Sequence, residues 1–375
     1  ALAARLVEVE EVTLPVFQGA ELAAAGDIGG RLGAYALGRG HLALHEWEPA
    51  KRMLERAVSL GYSHPELDYA LGRVLGELYS RALEDARRSG DKSFFERRKA
   101  ELQAEYLSPA LTYLKSCHRQ KTVTPTYVEG LIDFYEQRYD AAIINAHLAR
   151  QQAPWLYEAA KLEGDVFLAR ALDQRDHGEP ESAERSFKDS VNRYEQAAAI
   201  GHSDPQVYEA LAEAWLRWEE MDLYGGRDPQ PKLAEALRAA DQALEAGPRE
   251  SYGHVKKAFA YYFEAEYLQQ HGSADKAKSF YLLQAENGKT GIERHPNDPY
   301  AHEVCGMAYN RLATPSQSSQ RLNRDYLAQA VPHFKEALKL NPQFPWAYND
   351  YAVNLVLTAS DQASRNQDMT ASIDE

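Results

Sequence analysis

The sequence predicts an all-α protein: a right-handed superhelix of stacked two-helix repeats, several of them lengthened into projecting hairpins. Three observations predict it. Leu37-Gly38 returns as Leu71-Gly72 and Glu129-Gly130 returns as Glu163-Gly164, both at a shift of 34 residues. A longer string, Ala57-x-x-Leu60-Gly61-x-Ser63-x-Pro65, is echoed by Ala197-x-x-Ile200-Gly201-x-Ser203-x-Pro205 at a shift of 140. Where spacing departs from the short period, the surplus comes in near-multiples of two helical turns, about seven residues each.

The first full unit shows the internal order. After Leu37-Gly38 come His41, then Ala50, Leu54 and Ala57, then the turn Gly61-Tyr62 before Pro65 opens the next unit. Small residues stand where two helices cross closely and large ones fill between them. With the 34-residue spacing this is the tetratricopeptide pattern, in which each short helix buries its apolar stripe only by stacking on neighbours. Cys305-Gly306, Tyr309, Ala330, Phe334, Ala337 and the stop Asn341-Pro342 repeat the order late in the chain, and Trp346 and Ala352 open one more unit.

Taking the small mid-helix residue as a ruler places eight units at Gly38, Gly72, Gly130, Gly164, Ala212, Ala258, Gly306 and Ala352. The gaps are 34, 58, 34, 48, 46, 48 and 46 residues, so the insertions over one period are 24, 14, 12, 14 and 12. Each falls between the two helices of its unit and predicts longer helical hairpins, extended by roughly 10 Å, not slack loops. The largest spans about Ser80 to Glu105 and is charged at most positions, which predicts two long solvated helices turning near Ser89-Gly90-Asp91. The others turn at His177 to Pro180, Gly225 to Pro229, His271 to Ser273 and Thr314 to Ser319.

The ends read differently. Residues 1–32 form a capping segment, with Leu2, Leu6 and Val9 at helical spacing and a Pro- and Gly-containing connection from Thr13 to Gly30. Residues 33–375 form the array, and Asp368 to Glu375 reads as the start of a second helix cut short. The chain begins at Ala1 and reads as part of a longer polypeptide.

Composition bounds the chemistry. The chain has 375 residues, 44% hydrophobic, with 23 Gly and 17 Pro, which excludes collagen-like and wholly disordered classes. A net charge of −14 argues against general nucleic-acid or anionic-membrane binding, since phosphate needs a concentrated positive field. Two distant cysteines, Cys117 and Cys305, fit a reducing cytoplasm, and no stretch has the length of a membrane span. The Gly26 to Gly40 cluster lacks the Lys-Ser/Thr of a phosphate loop. His41 and His45 lack a third ligand, and His41 occupies a packing place, as a core histidine. Acidic neighbours such as Glu219 and Glu220 read as solvated face residues. No catalytic residue, metal or cofactor is expected.

Binding is the better use of such an array. First helices of stacked repeats line a groove suited to an extended peptide or a helix. Repeat phase directs Tyr35, Arg39, Tyr69, Arg73, Tyr127, Leu131, Lys161, Asp165, Glu209, Glu213, Glu303 and Met307 into it. Arg39 and Arg73, one period apart, suit a carboxylate or phosphate. The Lys/Asn clamp of chaperone-binding repeats is not reproduced. Self-association is open to an array with an apolar end face.

Several strings carry a further likeness: Gly33 to Leu44 (GAYALGRGHLAL), Tyr127 to Tyr139 (YVEGLIDFYEQRY), Pro154 to Ala159 (PWLYEA) with Glu163-Gly164-Asp165, Gly226 to Pro229, and Phe344 to Asp350 (FPWAYND). Together they resemble the C-terminal tetratricopeptide region of large bacterial serine/threonine protein kinases of myxobacteria-like organisms, across nearly the whole chain. The resemblance implies a cytoplasmic module that recruits substrates or regulators, with the kinase domain on the N-terminal side and none of its catalytic residues here. A stand-alone adaptor or co-chaperone, or the repeat region of another enzyme such as a glycosyltransferase, are the alternatives.

Overall fold

Helix starts follow from local chemistry. Proline opens six helices, at Pro65, Pro125, Pro180, Pro205, Pro299 and Pro345, where its missing N–H costs nothing. Asp204 and Asp298 also cap two of these, and Asp91 and Asn323 cap two others, their side chains accepting the first backbone N–H groups. The computed structural model describes residues 26–87, 91–120, 124–248, 252–315 and 321–374. Over these residues it is all-α, built of tetratricopeptide-type helical hairpins. The chain divides into two compact units, Ala1–Glu163 and Gly164–Glu375, at a point inside helix α8.

Unit 1 holds α1 (Gly26–Ala43) and α2 (Trp47–Ser59), then α3 (Pro65–Arg87). The partner of α3 is a continuous run of α4 (Lys92–Leu102), a π-helical turn (Gln103–Leu107) and α5 (Ser108–Gln120). Then come α6 (Pro125–Tyr135), α7 (Tyr139–Gln152) and the start of α8 (Tyr157–Asp176). The 24-residue insertion is therefore a pair of long helices, as its charge pattern predicts; of the turn expected near Ser89-Gly90-Asp91, residues 88–90 lie outside the described residues and Asp91 caps α4. So does the predicted helix over Ala1 to Val12. The expected boundary at residue 32 falls within α1, because helix α1 starts at Gly26, inside the segment expected as connection. The extra turn sets Gly30 beside Leu60.

Unit 2 holds the rest of α8, α9 (Pro180–Ala198), α10 (Pro205–Tyr224), α11 (Gln230–Ala246), α12 (Tyr252–Gln270) and α13 (Ala274–Arg294). It continues with α14 (Pro299–Ala313), α15 (Arg324–Leu340), α16 (Pro345–Ser364) and the short α17 (Thr370–Asp374). Helices α8, α10 and α12 run 20, 20 and 19 residues against 11 for α6, so these insertions did become helix. The insertion after α14 differs. Helix α14 stops at Ala313 after 15 residues and α15 begins only at Arg324. Pro315 lacks the N–H that continuing the helix needs, and residues 316–320 lie outside the described residues.

Within each unit, first and second helices pack as antiparallel pairs and successive first helices stack, α10 on α12, α12 on α14 and α14 on α16. The ruler residues sit at the crossings. Gly38 lies under Leu54, Gly72 under Leu114, Gly164 under Tyr194 and Gly306 under Phe334, each so close that an added Cβ would fall 2.6–2.7 Å from the facing side chain. Those facing side chains are all 0–1% exposed, and each fully buried one is worth about 1.5–3 kcal/mol of transfer free energy. Turns between the paired helices need a left-handed residue, supplied by Gly178, Gly226 and Gly272 in the long hairpins and by His45 and Gln137 in the short ones. Ala352, the last ruler residue, is exposed, since only α17 follows as second helix among the described residues.

Candidate functional site

The first-helix face of unit 1 is built from a repeated Tyr-x-x-x-Arg. In α1 the guanidinium of Arg39 donates to the Tyr35 hydroxyl at 2.9 Å, and that hydroxyl donates to Glu66 of α3 at 3.1 Å. Arg39 also lies 3.5 Å from Glu66 and is 45% exposed, while Tyr62 packs on the Tyr35 ring at 4.7 Å. One period later Arg73 donates to Tyr69 at 3.3 Å and to Tyr127 of α6 at 2.8 Å, with Glu77 at 3.8 Å. The same chemistry thus links α1 to α3 and α3 to α6.

Electrostatics around Glu77 follow from this. Burial pushes its carboxyl up, but Lys161, Arg73 and Arg81 together overcome that and hold it below its ordinary value. Tyr127 is driven well above the ordinary tyrosine range, by burial first, with Arg73 opposing. It stays a neutral hydrogen-bond acceptor for Arg73. Arg81 stacks over Trp47 at 5.4 Å. The face is therefore aromatic and charge-paired, Arg39 lying beside Tyr35 and Glu66 and Arg73 beside Tyr69, Tyr127 and Glu77.

In unit 2 the corresponding positions carry acid. Glu213 accepts from Arg217 at 2.7 Å and from Lys256 of α12 at 2.5 Å, and Arg217 also reaches Glu220 at 3.0 Å. Arg175 meets Glu220 at 3.0 Å. Further along, Arg311 pairs with Glu266 at 2.9 Å and donates to Tyr262 at 3.3 Å, while Tyr281 donates to Glu266 at 2.7 Å. Asp350 is raised, chiefly by burial, against the opposing pull of a hydrogen bond with Glu303 and the charge of Arg311. Asp165 accepts from Tyr194 at 2.8 Å.

Phase placed these side chains on the first helices, but depth separates them. Tyr35, Arg39, Tyr69, Arg73, Lys161, Asp165 and Glu213 are half-buried or exposed. Tyr127, Leu131, Glu209, Glu303 and Met307 are buried, so they are packed into the stack and not displayed on it. Met307 belongs to the apolar core shared with Phe259 and Val304. Arg39 and Arg73 are engaged by different partners, one by Tyr35 and Glu66, the other by Tyr69 and Tyr127.

Two readings of single residues are corrected. His41 is half-buried and its Nδ1 is hydrogen-bonded to Glu46 across the α1–α2 turn, so it is not a core residue. Glu219 is fully buried and Glu220 engages two arginines. Glu219 shares its helix face with Trp215 and Asp222, turned into the α10–α12 packing. Neither Glu219 oxygen has a hydrogen-bond partner, and burial first, then Glu264 and Asp222, raise its carboxyl well above the carboxylate range. Phase one turn further would have found Glu77, Arg217 and Arg311, each four residues after a residue already singled out. Nothing in the sequence marks Glu219 as buried.

Among the described residues no group of three or more His, Cys, Asp or Glu could hold a metal ion, and no helix is long and apolar enough to cross a membrane. No family model matches the chain and no curated protein does. Solved structures of low identity do align with it. A thermophilic TPR protein of Thermus thermophilus is 17% identical, with a TM-score of 0.38 over 62% of this chain and 97% of that one. The C-terminal part of a TPR repeat-containing protein of Cytophaga hutchinsonii is 14% identical, with a TM-score of 0.39 over 84% and 98%. YrrB, described as a TPR protein with an unusual peptide-binding site, is 14% identical, with a TM-score of 0.33 over 64% and 96%. The fold assignment rests on the repeat geometry itself.

Proposed function

We propose that this chain is a protein-interaction scaffold, the substrate-recruiting or regulatory tetratricopeptide region of a bacterial serine/threonine protein kinase, working in the cytoplasm. Its ligand is an extended acidic peptide held on the first-helix face of unit 1. The observation that carries the binding part is the repeated Tyr-x-x-x-Arg pair, which presents Arg39 at 45% exposure beside the Tyr35 and Tyr62 rings. Rigid amphipathic rings lose little entropy on binding, and arginine forks match carboxylates. The residue strings around Gly33 to Leu44 and Tyr127 to Tyr139 support the kinase part.

Selection from a random peptide library on the immobilised chain tests the binding part. Acidic sequences are expected, with retention lost in an Arg39→Glu/Arg73→Glu variant that keeps its helical spectrum. Selection of basic or purely apolar sequences, or equal retention by the variant, would contradict it. Reading the gene upstream of the Ala1 codon tests the kinase part: a kinase catalytic domain is expected, and a different enzyme or an initiation codon beside Ala1 would refute it.

A further inference from the structure

Away from the first-helix face, unit 2 has a cleft of about 980 Å³ where the start of α15 meets the end of α16. Three arginines line it, Arg321, Arg324 and Arg365, against two carboxylates, Asp325 and Asp361. Asp361 is the hub. Arg324 grips it with both arms of its fork, Nε to Oδ2 at 2.7 Å and Nη2 to Oδ1 at 3.2 Å, and Arg365 approaches Oδ2 at 3.5 Å. Asp361 is 17% exposed, whereas Arg324 and Arg365 are 52% and 33% exposed. The carboxylate thus sits at the bottom and the guanidinium edges face the opening. Leu357 supplies an apolar wall and the Ser360 hydroxyl a further donor.

The charge count selects the ligand. Asp361 already occupies Nε and Nη2 of Arg324, which leaves the outer edge of that guanidinium and Arg365 to a further anion. A phosphomonoester carries close to two negative charges near neutral pH and three acceptor oxygens, enough to engage Arg365 and the outer edge of Arg324 together while Asp361 stays in place. The volume exceeds what a phosphoryl group needs and matches a side chain with its flanking backbone. We propose that this cleft binds a phosphomonoester dianion, presented as the phosphoserine or phosphothreonine side chain of a partner peptide. The site does not depend on the acidic-peptide reading of unit 1.

Fluorescence anisotropy with the full chain tests it. The probe is a labelled peptide of Gly, Ala and Leu around one phosphoserine, at about 0.15 M salt, where long-range attraction is screened. Saturable binding is expected, with the unphosphorylated and glutamate-substituted peptides failing to compete. Asp361→Asn removes the competing charge from the arginines and should tighten binding by about tenfold, while Arg324→Gln/Arg365→Gln should weaken it by about tenfold or more. Lowering the pH through about 6 protonates the phosphoryl group and should weaken binding. The Arg39→Glu/Arg73→Glu variant should bind the phosphopeptide as wild type does, which separates this site from unit 1. Circular dichroism checks that each variant folds. Absence of saturable binding by wild type, undiminished binding by the double arginine variant, or weaker binding by Asp361→Asn would each overturn the proposal. Competition by inorganic phosphate as strong as that of the phosphopeptide would overturn the peptide as its source.

Discussion

Replacing Gly164 with alanine sets two known effects against each other. Alanine in a helix interior gains about 1 kcal/mol over glycine. Its Cβ, however, would stand 2.6 Å from Cδ1 and Cε1 of Tyr194 and 3.1 Å from its Cγ, so the ring must retreat by about 1 Å to reach ordinary contact. Tyr194 is 1% exposed and its hydroxyl is tied to Asp165 at 2.8 Å, which leaves it no room to swing. Overpacking of this kind costs about 1–3 kcal/mol, so the clash outweighs the propensity gain by up to about 2 kcal/mol. Gly130→Ala is the control: its nearest neighbours would be Cδ2 of Leu162 at 3.2 Å and the Ala146 nitrogen at 3.3 Å, a tenths-of-an-ångström squeeze in place of a clash, so cost and gain nearly cancel. Urea unfolding read by tryptophan fluorescence should show a lower midpoint for Gly164→Ala, by up to about 1 M for a slope near 2 kcal/mol/M. A midpoint at or above that of wild type, with unchanged slope, would refute the reasoning that ring contact sets the helix crossing.

Three further outcomes follow from buried groups. Glu219→Gln should stabilise the protein at neutral pH: a carboxyl raised in the fold binds more protons than in the unfolded chain, so its stability contribution falls as pH climbs above the ordinary value of 4.5, and the variant's urea midpoint should vary less over that range. His333 runs the other way; burial first, then His302 and Lys289, lower it from 6.5 to about 4, so stability held above 6.5 is lost as pH falls toward 4, and His333→Gln should flatten midpoints measured across that window. Phe334→Ala empties a fully buried site against Gly306 and should cost about 3–5 kcal/mol, read as a large drop in urea midpoint.

The fold was legible because tetratricopeptide packing leaves a physical ruler in the chain. Gly38, Gly72, Gly164 and Gly306 are small because Leu54, Leu114, Tyr194 and Phe334 press on them. The two-turn surpluses after Gly164, Ala212 and Ala258 became helix because apolar residues continue through them at helical spacing, as with Ala171, Leu172, Ala183 and Phe187. Beyond Ala313 that spacing stops, and so does the helix.

The binding face was legible in direction but not in depth. Periodicity fixes which way a side chain points along its own helix, while burial depends on how far the next helix covers it. Thus Arg39 remains 45% exposed, yet Leu131 and Met307, at the same phase, are packed away. Glu219 shows the same limit more sharply, since its charge suggested solvent and its neighbours Trp215 and Trp218 belong to the core of the hairpin. The cleft around Asp361 joins residues 37 positions apart across a departure from the regular spacing, where the ruler gives no guidance.

Hydrogen exchange by mass spectrometry, on the full chain with and without a library-selected acidic peptide, tests most directly the claim that the first helices form the binding face. The account predicts slowed exchange in α1, α3 and α6, around Arg39 and Arg73, with α2, α5 and α7 unchanged. Protection concentrated in the second helices α2, α5 and α7 would contradict it.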